Sequence, residues 1–311
     1  MSLLTQVGIL LASIFVLAKS SEVVASSAVK IARVTRLSEL VVGFIILAVA
    51  TNLPELSIAI SSLISREVAI SLGNIFGSNI TDLLFVIGIA SLTGVIQITK
   101  KTHKELSTIL LVFSIIPLLL LSKFYSPKLV GSLLIFTFLY FVYHLVRERI
   151  THEEIRQHHE RFELSKIVIF CLSLFFVVYS SKFVISSASK LALFYGASEA
   201  VIGATIISIG TTLPELAVSL QAIRRRHFNL ALGNVIGSCL IKITLLLGLV
   251  LVFNPQPIDF GSYSILIVFT ILSSVIIWIF LNRSKLMLFD GIFLLLVYII
   301  FLVLTLTFSL F

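Results

Sequence analysis

Two five-residue stretches, Thr51-Asn52-Leu53-Pro54-Glu55 and Thr211-Thr212-Leu213-Pro214-Glu215, each set a proline and a carboxylate in the middle of a long apolar segment. The apolar segments run over residues 40–64 and 200–223. A carboxylate at the centre of a membrane helix costs about 2.5–3.5 kcal/mol even on the most lenient scale, so it faces a bundle interior or a water-filled path. Proline removes a backbone donor and frees the carbonyl one turn earlier. Hydrocarbon tolerates such a break only where neighbouring helices, water or an ion satisfy the released groups. A broken helix with an acid beside the break reads as a cation site, and this chain carries two.

That reading requires a membrane, and the composition supplies one. Of the 311 residues, 58% are hydrophobic and 12% charged, against roughly 25% charged in soluble domains. The mean hydropathy is +1.14. The predicted class is an all-α membrane protein with about ten spans, at residues 2–19, 40–64, 68–95, 105–122, 128–146, 165–189, 199–223, 228–253, 262–281 and 287–310. The net charge of +8 is spread over short inter-helix loops and comes with no nucleic-acid-binding motif, so nucleic acid is not an expected partner. Cys171 and Cys239 fall inside apolar segments and suggest no disulfide framework. The first apolar run lacks a basic leader and a clear cleavage site, which makes it a first span rather than a signal peptide.

Segment 147–166 is the one long charged stretch, and it divides the chain near its midpoint. It is read as a linker between a first five-helix half, 1–146, and a second, 167–311. Its histidines, His152, His158 and His159, could bind a metal or sense pH, but a solvated helical face with paired charges is the plainer account. An offset of 160 residues relates the halves, carrying Glu55 to Glu215, Gly43 to Gly203, Gly73-Asn74 to Gly233-Asn234, Gly77-Ser78 to Gly237-Ser238 and Gly88 to Gly248. Between 43–88 and 203–248, 14 of 46 positions are identical without a gap. Ser26-Ser27-Ala28 and Lys30 recur as Ser186-Ser187-Ala188 and Lys190. Agreement at a single register marks an internal repeat. With an odd number of spans per half, the second copy enters the membrane from the opposite side. Inverted repeats of this kind place substrate near the midplane, between broken helices.

Loop charge orients the chain. Of the 23 Lys and Arg, 17 fall at one set of loops, around residues 19–36, 100–104, 147–166, 224–226 and 283–285. Five (Arg66, Lys123, Lys128, Lys182, Lys190) fall on the other side, and Lys242 lies within a span. The positive-inside rule then predicts a cytoplasmic linker and both termini outside.

A second motif follows each break: Gly73-Asn74-Ile75-Phe76-Gly77-Ser78 and Gly233-Asn234-Val235-Ile236-Gly237-Ser238. Glycines four apart let helix backbones approach closely, which alone would be a packing device. Asn74, Ser78 and Asp82, however, stack an amide, a hydroxyl and a carboxylate on one helix face, and the second copy stacks Asn234, Ser238 and Lys242. Hard cations such as Ca2+ are held by oxygens of these types.

The paired T-x-L-P-E and G-N-x-x-G-S motifs on inverted halves resemble the alpha-repeats of the cation/Ca2+ exchanger superfamily, microbial sodium/calcium exchangers in particular, here at about residues 40–95 and 199–253. The resemblance implies a secondary antiporter in the cell membrane, moving Ca2+ against Na+ or, in a near variant, H+, with no cofactor. It implies that Glu55 and Glu215 are the central metal ligands and that Thr51 and Thr211 line the site. Ser78 and Ser238 join the implied ligand set, with backbone carbonyls near Ala48 and Ser208. Asn52 and Thr212 stand where the family usually has Ser, and both keep an oxygen. Asp82 stands at an Asn or Asp position. Lys242 departs, because the family carries Asp or Asn there and an ammonium cannot ligate a cation. Formal charges of Glu55, Glu215 and Asp82 sum to −3, and Lys242 brings the site to −2. Lys242 is therefore expected either to occupy one cation subsite or to balance Asp82 as a structural pair. The sequence leaves a transport-dead member with Lys242 filling the site as an alternative. A channel needs no pair of broken half-sites. An enzyme is disfavoured, since no nucleophile–base pair or His/Cys cluster falls at membrane depth.

Overall fold

The computed structural model describes residues 3–35, 38–66, 68–98, 106–110, 115–118, 126–150, 164–194, 208–254, 258, 260–283 and 285–308. The linker histidines and Gly203 lie outside the described residues. The chain opens with α1 (Leu3–Thr35), followed by α2 (Glu39–Thr51) and α3 (Leu53–Ser65). Helix α4 begins at Val68–Ile80, passes through a π-helical turn at Thr81–Val86 and ends as Ile87–Leu92. After β1 (Ile96–Gln97) come α5 (Pro127–Ile150) and α6 (Leu164–Phe194). The second break joins α7 (Ser208–Thr211) to α8 (Leu213–Arg224). Helix α9 runs as Phe228–Leu240, a π-helical turn at Ile241–Leu246 and Leu247–Phe253. Then come α10 (Ser264–Leu281), β2 (Lys285–Leu286) and α11 (Leu288–Phe308).

Among the described residues six helices are long and apolar enough to cross a membrane, or seven if the bent pair α2–α3 counts as one span. Of the ten expected spans, 105–122 is described only at 106–110 and 115–118, and 199–223 only from Ser208 onward. The span at 165–189 falls within α6. The first boundary is corrected: a span at 2–19 is only the start of α1, a helix of 33 residues. At 1.5 Å per residue it is about 50 Å long, well beyond the roughly 30 Å hydrocarbon core. Lys19-Ser20-Ser21-Glu22 reads as a loop in the sequence, yet the helix continues through it. Ser20 and Ser21 are buried, Ser20 returns its hydroxyl to the Val16 carbonyl at 2.7 Å, and Glu22 takes an ion pair from Arg225 at 2.7 Å.

Where both copies are described, the helices of the two halves match at the same offset of 160. Helix α6 is the copy of α1, and the two pack along each other. The π-helical turns at Thr81–Val86 and Ile241–Leu246 coincide under it. So do the left-handed residues, Arg66 (φ 62°) and Arg226 (φ 63°), which end the helices following each break. The repeat reaches further than sequence identity does. A Cβ on Gly131 of α5 would stand 2.8 Å from the Gly248 carbonyl oxygen, and one on Gly291 of α11 would stand 2.7 Å from that of Gly88. Gly131 and Gly291 are themselves 160 apart, so each half docks its last helix on the other half's motif helix by backbone-to-backbone contact.

Helices α4 and α9 form the centre, with 83% of the spanning part of each buried, against 11% for α5. The outer helices α5 and α11 turn residues such as Phe136, Leu139, Leu296 and Ile299 outward, the expected surface against lipid. Among the described residues the only non-helical pairing is the antiparallel contact of β1 with β2, Ile96 opposite Leu286. It ties the segment after α4 to the segment between α10 and α11.

Candidate functional site

Each T-x-L-P-E stretch is a break in a helix, as its proline requires. Asn52 (φ −82°, ψ 6°) and Thr212 (φ −88°, ψ 0°) leave helical geometry in the same way, and α2 and α3 meet there at 44°. Pro54 and Pro214 fall in the first turn of α3 and α8, where a missing N–H costs nothing within the helix. Glu55 and Glu215 follow in that same turn, at the positive end of the helix dipole. Both are enclosed, Glu55 at 1% exposure and Glu215 at 0%.

The threonines face across the interface between halves. Thr211 donates to Asn74 Oδ1 at 3.1 Å, and Thr51 donates to Asn234 Oδ1 at 3.5 Å, the same contact under the repeat symmetry. Asn234 in turn donates to Ser219 Oγ at 2.9 Å. The G-N-x-x-G-S glycines divide. A Cβ on Gly233 or Gly237 would collide with the α2 backbone at Leu40 or Phe44, and one on Gly77 would press on Ser208 Oγ. Gly73 has open space there, so close packing does not explain it. The carbonyl of Ala48 is engaged by protein donors: the Asn52 backbone N–H at 3.1 Å, Asn52 Nδ2 at 2.6 Å and Thr51 Oγ1 at 3.5 Å. The carbonyl of Ser208 accepts from Thr211 Oγ1 at 3.3 Å. Thr212 Oγ1 donates to Ile209 O at 2.9 Å, and Ser78 Oγ to Ile75 O at 3.5 Å.

Asp82 and Lys242 hold corresponding positions in the π-helical turns of α4 and α9, and the pseudo-two-fold axis sets them face to face. Lys242 Nζ lies 2.8 Å from Asp82 Oδ2 and 3.6 Å from Glu55 Oε1, with all three side chains fully enclosed. Cys239 Sγ lies 3.9 Å from Asp82 Oδ2. Glu215 stands within electrostatic range of Glu55, Asp82 and Lys242. The four charges that the sequence spreads over two halves form one buried cluster.

The cluster is rich in acceptors and poor in donors. Among the described residues both carboxylate oxygens of Glu55 and of Glu215, Asp82 Oδ1 and Asn52 Oδ1 make no hydrogen bond. A buried acceptor without a donor costs about 1–3 kcal/mol, and more when charged. Several such oxygens beside one another are the arrangement a hard cation relieves. Among the described residues no group of three His, Cys, Asp or Glu side chains converges on a point.

Sequence reasoning did not find Thr81 or Tyr298. Thr81 Oγ1 lies 3.4 Å from Ser208 Oγ and 3.1 Å from Tyr298 Oη, joining α4 to α7 and to α11. The one signal in the sequence is a hydroxyl next to Asp82 in an apolar run. For Tyr298 there is only the general rule that a buried phenol needs a partner.

Comparison with known proteins follows the same division into halves. The profile of the family described as sodium/calcium exchanger protein matches residues 5–147 and again 165–307. CaxA of Alkalimonas amylolytica is 30% identical over 238 residues, covering 74% of this chain and 75% of the relative. The sodium/calcium exchanger MaX1 of Methanosarcina acetivorans is 27% identical, covering 95% of this chain and 97% of its own length. A solved structure of the sodium-calcium exchanger NCX_Mj, soaked with Na+ and Sr2+, superposes with a TM-score of 0.83 at 27% identity, covering 96% of this chain and 98% of that one.

Proposed function

The chain belongs to the sodium/calcium exchanger protein family, and from that premise we propose that it exchanges Ca2+ for Na+ by alternating access, using the buried carboxylate cluster at the interface of its halves. The observation that carries this reading is the set of Glu55 and Glu215 oxygens, all four enclosed and accepting no hydrogen bond among the described residues, with the Lys242 ammonium 3.6 Å from Glu55 Oε1. Glu55 and Glu215 are the ion ligands. Thr51, Thr211, Asn52, Thr212, Ser78, Ser238 and Asp82 supply further oxygens, with the carbonyls of Ala48 and Ser208 at the breaks. Because Ala48 O is held by Asn52 Nδ2, its ligation requires the Asn52 amide to turn away.

The test is ion flux with the purified chain in proteoliposomes, varying Ca2+, Na+ and pH gradients one at a time. An outward Na+ gradient is expected to drive Ca2+ uptake with no pH gradient present. Uptake that follows only the pH gradient moves the assignment to H+/Ca2+ exchange. No uptake under any gradient makes the chain transport-dead, with the Lys242–Asp82 contact closing the site.

Sidedness is part of the proposal: the linker 147–166 faces the cytoplasm and both termini face outside. The imbalance of loop charge, with 17 of the 23 Lys and Arg on the linker's set of loops, supports it. Cysteines placed in the linker are expected to react with an impermeant maleimide from the cytoplasmic side only, and those near either terminus from outside only. Labelling of linker and termini from one side contradicts the inverted arrangement.

A further inference from the structure

Lys242 touches the site at two points, and only one of them is needed for a local salt bridge. Its ammonium is 2.8 Å from Asp82 and also 3.6 Å from Glu55, the carboxylate of the first broken helix. Its side chain is fully enclosed and springs from the π-helical turn of α9, so it cannot leave the site as an ion does. At this place the repeat symmetry would set two like side chains against each other, and the chain sets opposite charges there instead.

We infer that Lys242 is a built-in monovalent cation that leaves room for a mobile charge of +2, so that one divalent cation exchanges for two monovalent cations and the cycle moves no net charge. The inference deepens the antiporter reading and rests on it. The three carboxylates of Glu55, Glu215 and Asp82 carry −3, and the tethered ammonium reduces this to −2. A loaded site that crosses the hydrocarbon must come close to neutral, because uncompensated charge there is costly. One divalent or two monovalent cations each meet that condition. A third monovalent cation would have to share Asp82 and Glu55 oxygens with an ammonium already beside them.

The experiment measures the equilibrium Ca2+ gradient that proteoliposomes of the wild-type chain reach at a fixed Na+ gradient, with membrane potential stepped by K+ and valinomycin. A second arm replaces the Na+ gradient by a pH gradient to identify the monovalent partner. The gradient is expected to stay put as potential changes. A cycle that moves one net charge shifts it tenfold per 59 mV, and that result overturns the inference. In Lys242→Asn the carboxylate charge of −3 is bare, and the same measurement is expected to acquire the tenfold shift. In Lys242→Asn with Asp82→Asn the sum returns to −2 and the shift disappears. A lone Lys242→Asn that stays independent of potential makes Lys242 a structural partner only. Competition of Na+ against 45Ca2+ binding in detergent counts ions without transport, so it separates this inference from the antiporter reading. At high Na+ the slope of log apparent Ca2+ Kd against log Na+ concentration equals the number of competing Na+ ions: a slope of about two supports the count even if no flux is seen, and one of about one or three overturns it.

Discussion

Replacing Glu55 or Glu215 by Gln is expected to slow exchange roughly 100-fold while leaving the protein folded. Glutamine keeps the volume and one oxygen of each side chain, so packing against the first turns of α3 and α8 is preserved. The charge is lost. A divalent ion in either variant would cross with one uncompensated charge, at about 2.5–3.5 kcal/mol on the lenient scale. At 1.4 kcal/mol per factor of ten, that slows exchange roughly 100-fold. Folding should not suffer in Glu215→Gln, because the parent carboxylate is enclosed and accepts no hydrogen bond among the described residues. Removing a buried charge without a donor relieves a cost rather than adding one. Initial rates of 45Ca2+ uptake, read beside circular dichroism and gel filtration, check both halves of the prediction. Full transport in either variant would sink the assignment of these glutamates as ion ligands.

The proline-carboxylate breaks were legible because membrane physics makes them expensive. A proline or a glutamate at hydrocarbon depth needs a reason, and two copies at one offset make the reason shared. The offset also predicted which positions would meet at the axis, since Asp82 and Lys242 are the same position in each half. What the sequence could not show is what depends on non-local contacts. The continuation of α1 past Lys19 goes with its packing along α6 and with the burial of Ser21, Val24 and Ala28, contacts made by residues far away in the chain. The Gly131–Gly248 and Gly291–Gly88 contacts lie between helices whose sequences have otherwise diverged, so no run of identity marks them. The second contact of Lys242, to Glu55, joins the two motifs of the first half through a residue of the second. Spacing along the chain carries no trace of that.

Lys242→Met is expected to be strongly destabilising, by about 3–5 kcal/mol. Methionine fills much of the lysine stem's path but removes the ammonium, so Asp82 Oδ2 is left with only the Cys239 thiol at 3.9 Å. Asp82 Oδ1 and both Glu55 oxygens already make no hydrogen bond among the described residues. Deleting one partner of a buried ion pair costs about 3–5 kcal/mol, because a charge remains enclosed without compensation. Replacing the whole pair by apolar groups is by contrast often neutral, so Lys242→Met with Asp82→Leu is expected to regain most of the loss. Thermal unfolding in detergent, followed by fluorescence size-exclusion, gives the ranking: parent and double variant close together, single variant well below. Added Ca2+ should then raise the single variant more than the parent. A mobile cation can take the place the ammonium left, and an ion at 100 times its Kd contributes about 2.7 kcal/mol. If Lys242→Met melts with the parent and Ca2+ lifts both equally, the ammonium is not compensating these carboxylates, and its place at the centre of the site needs another explanation.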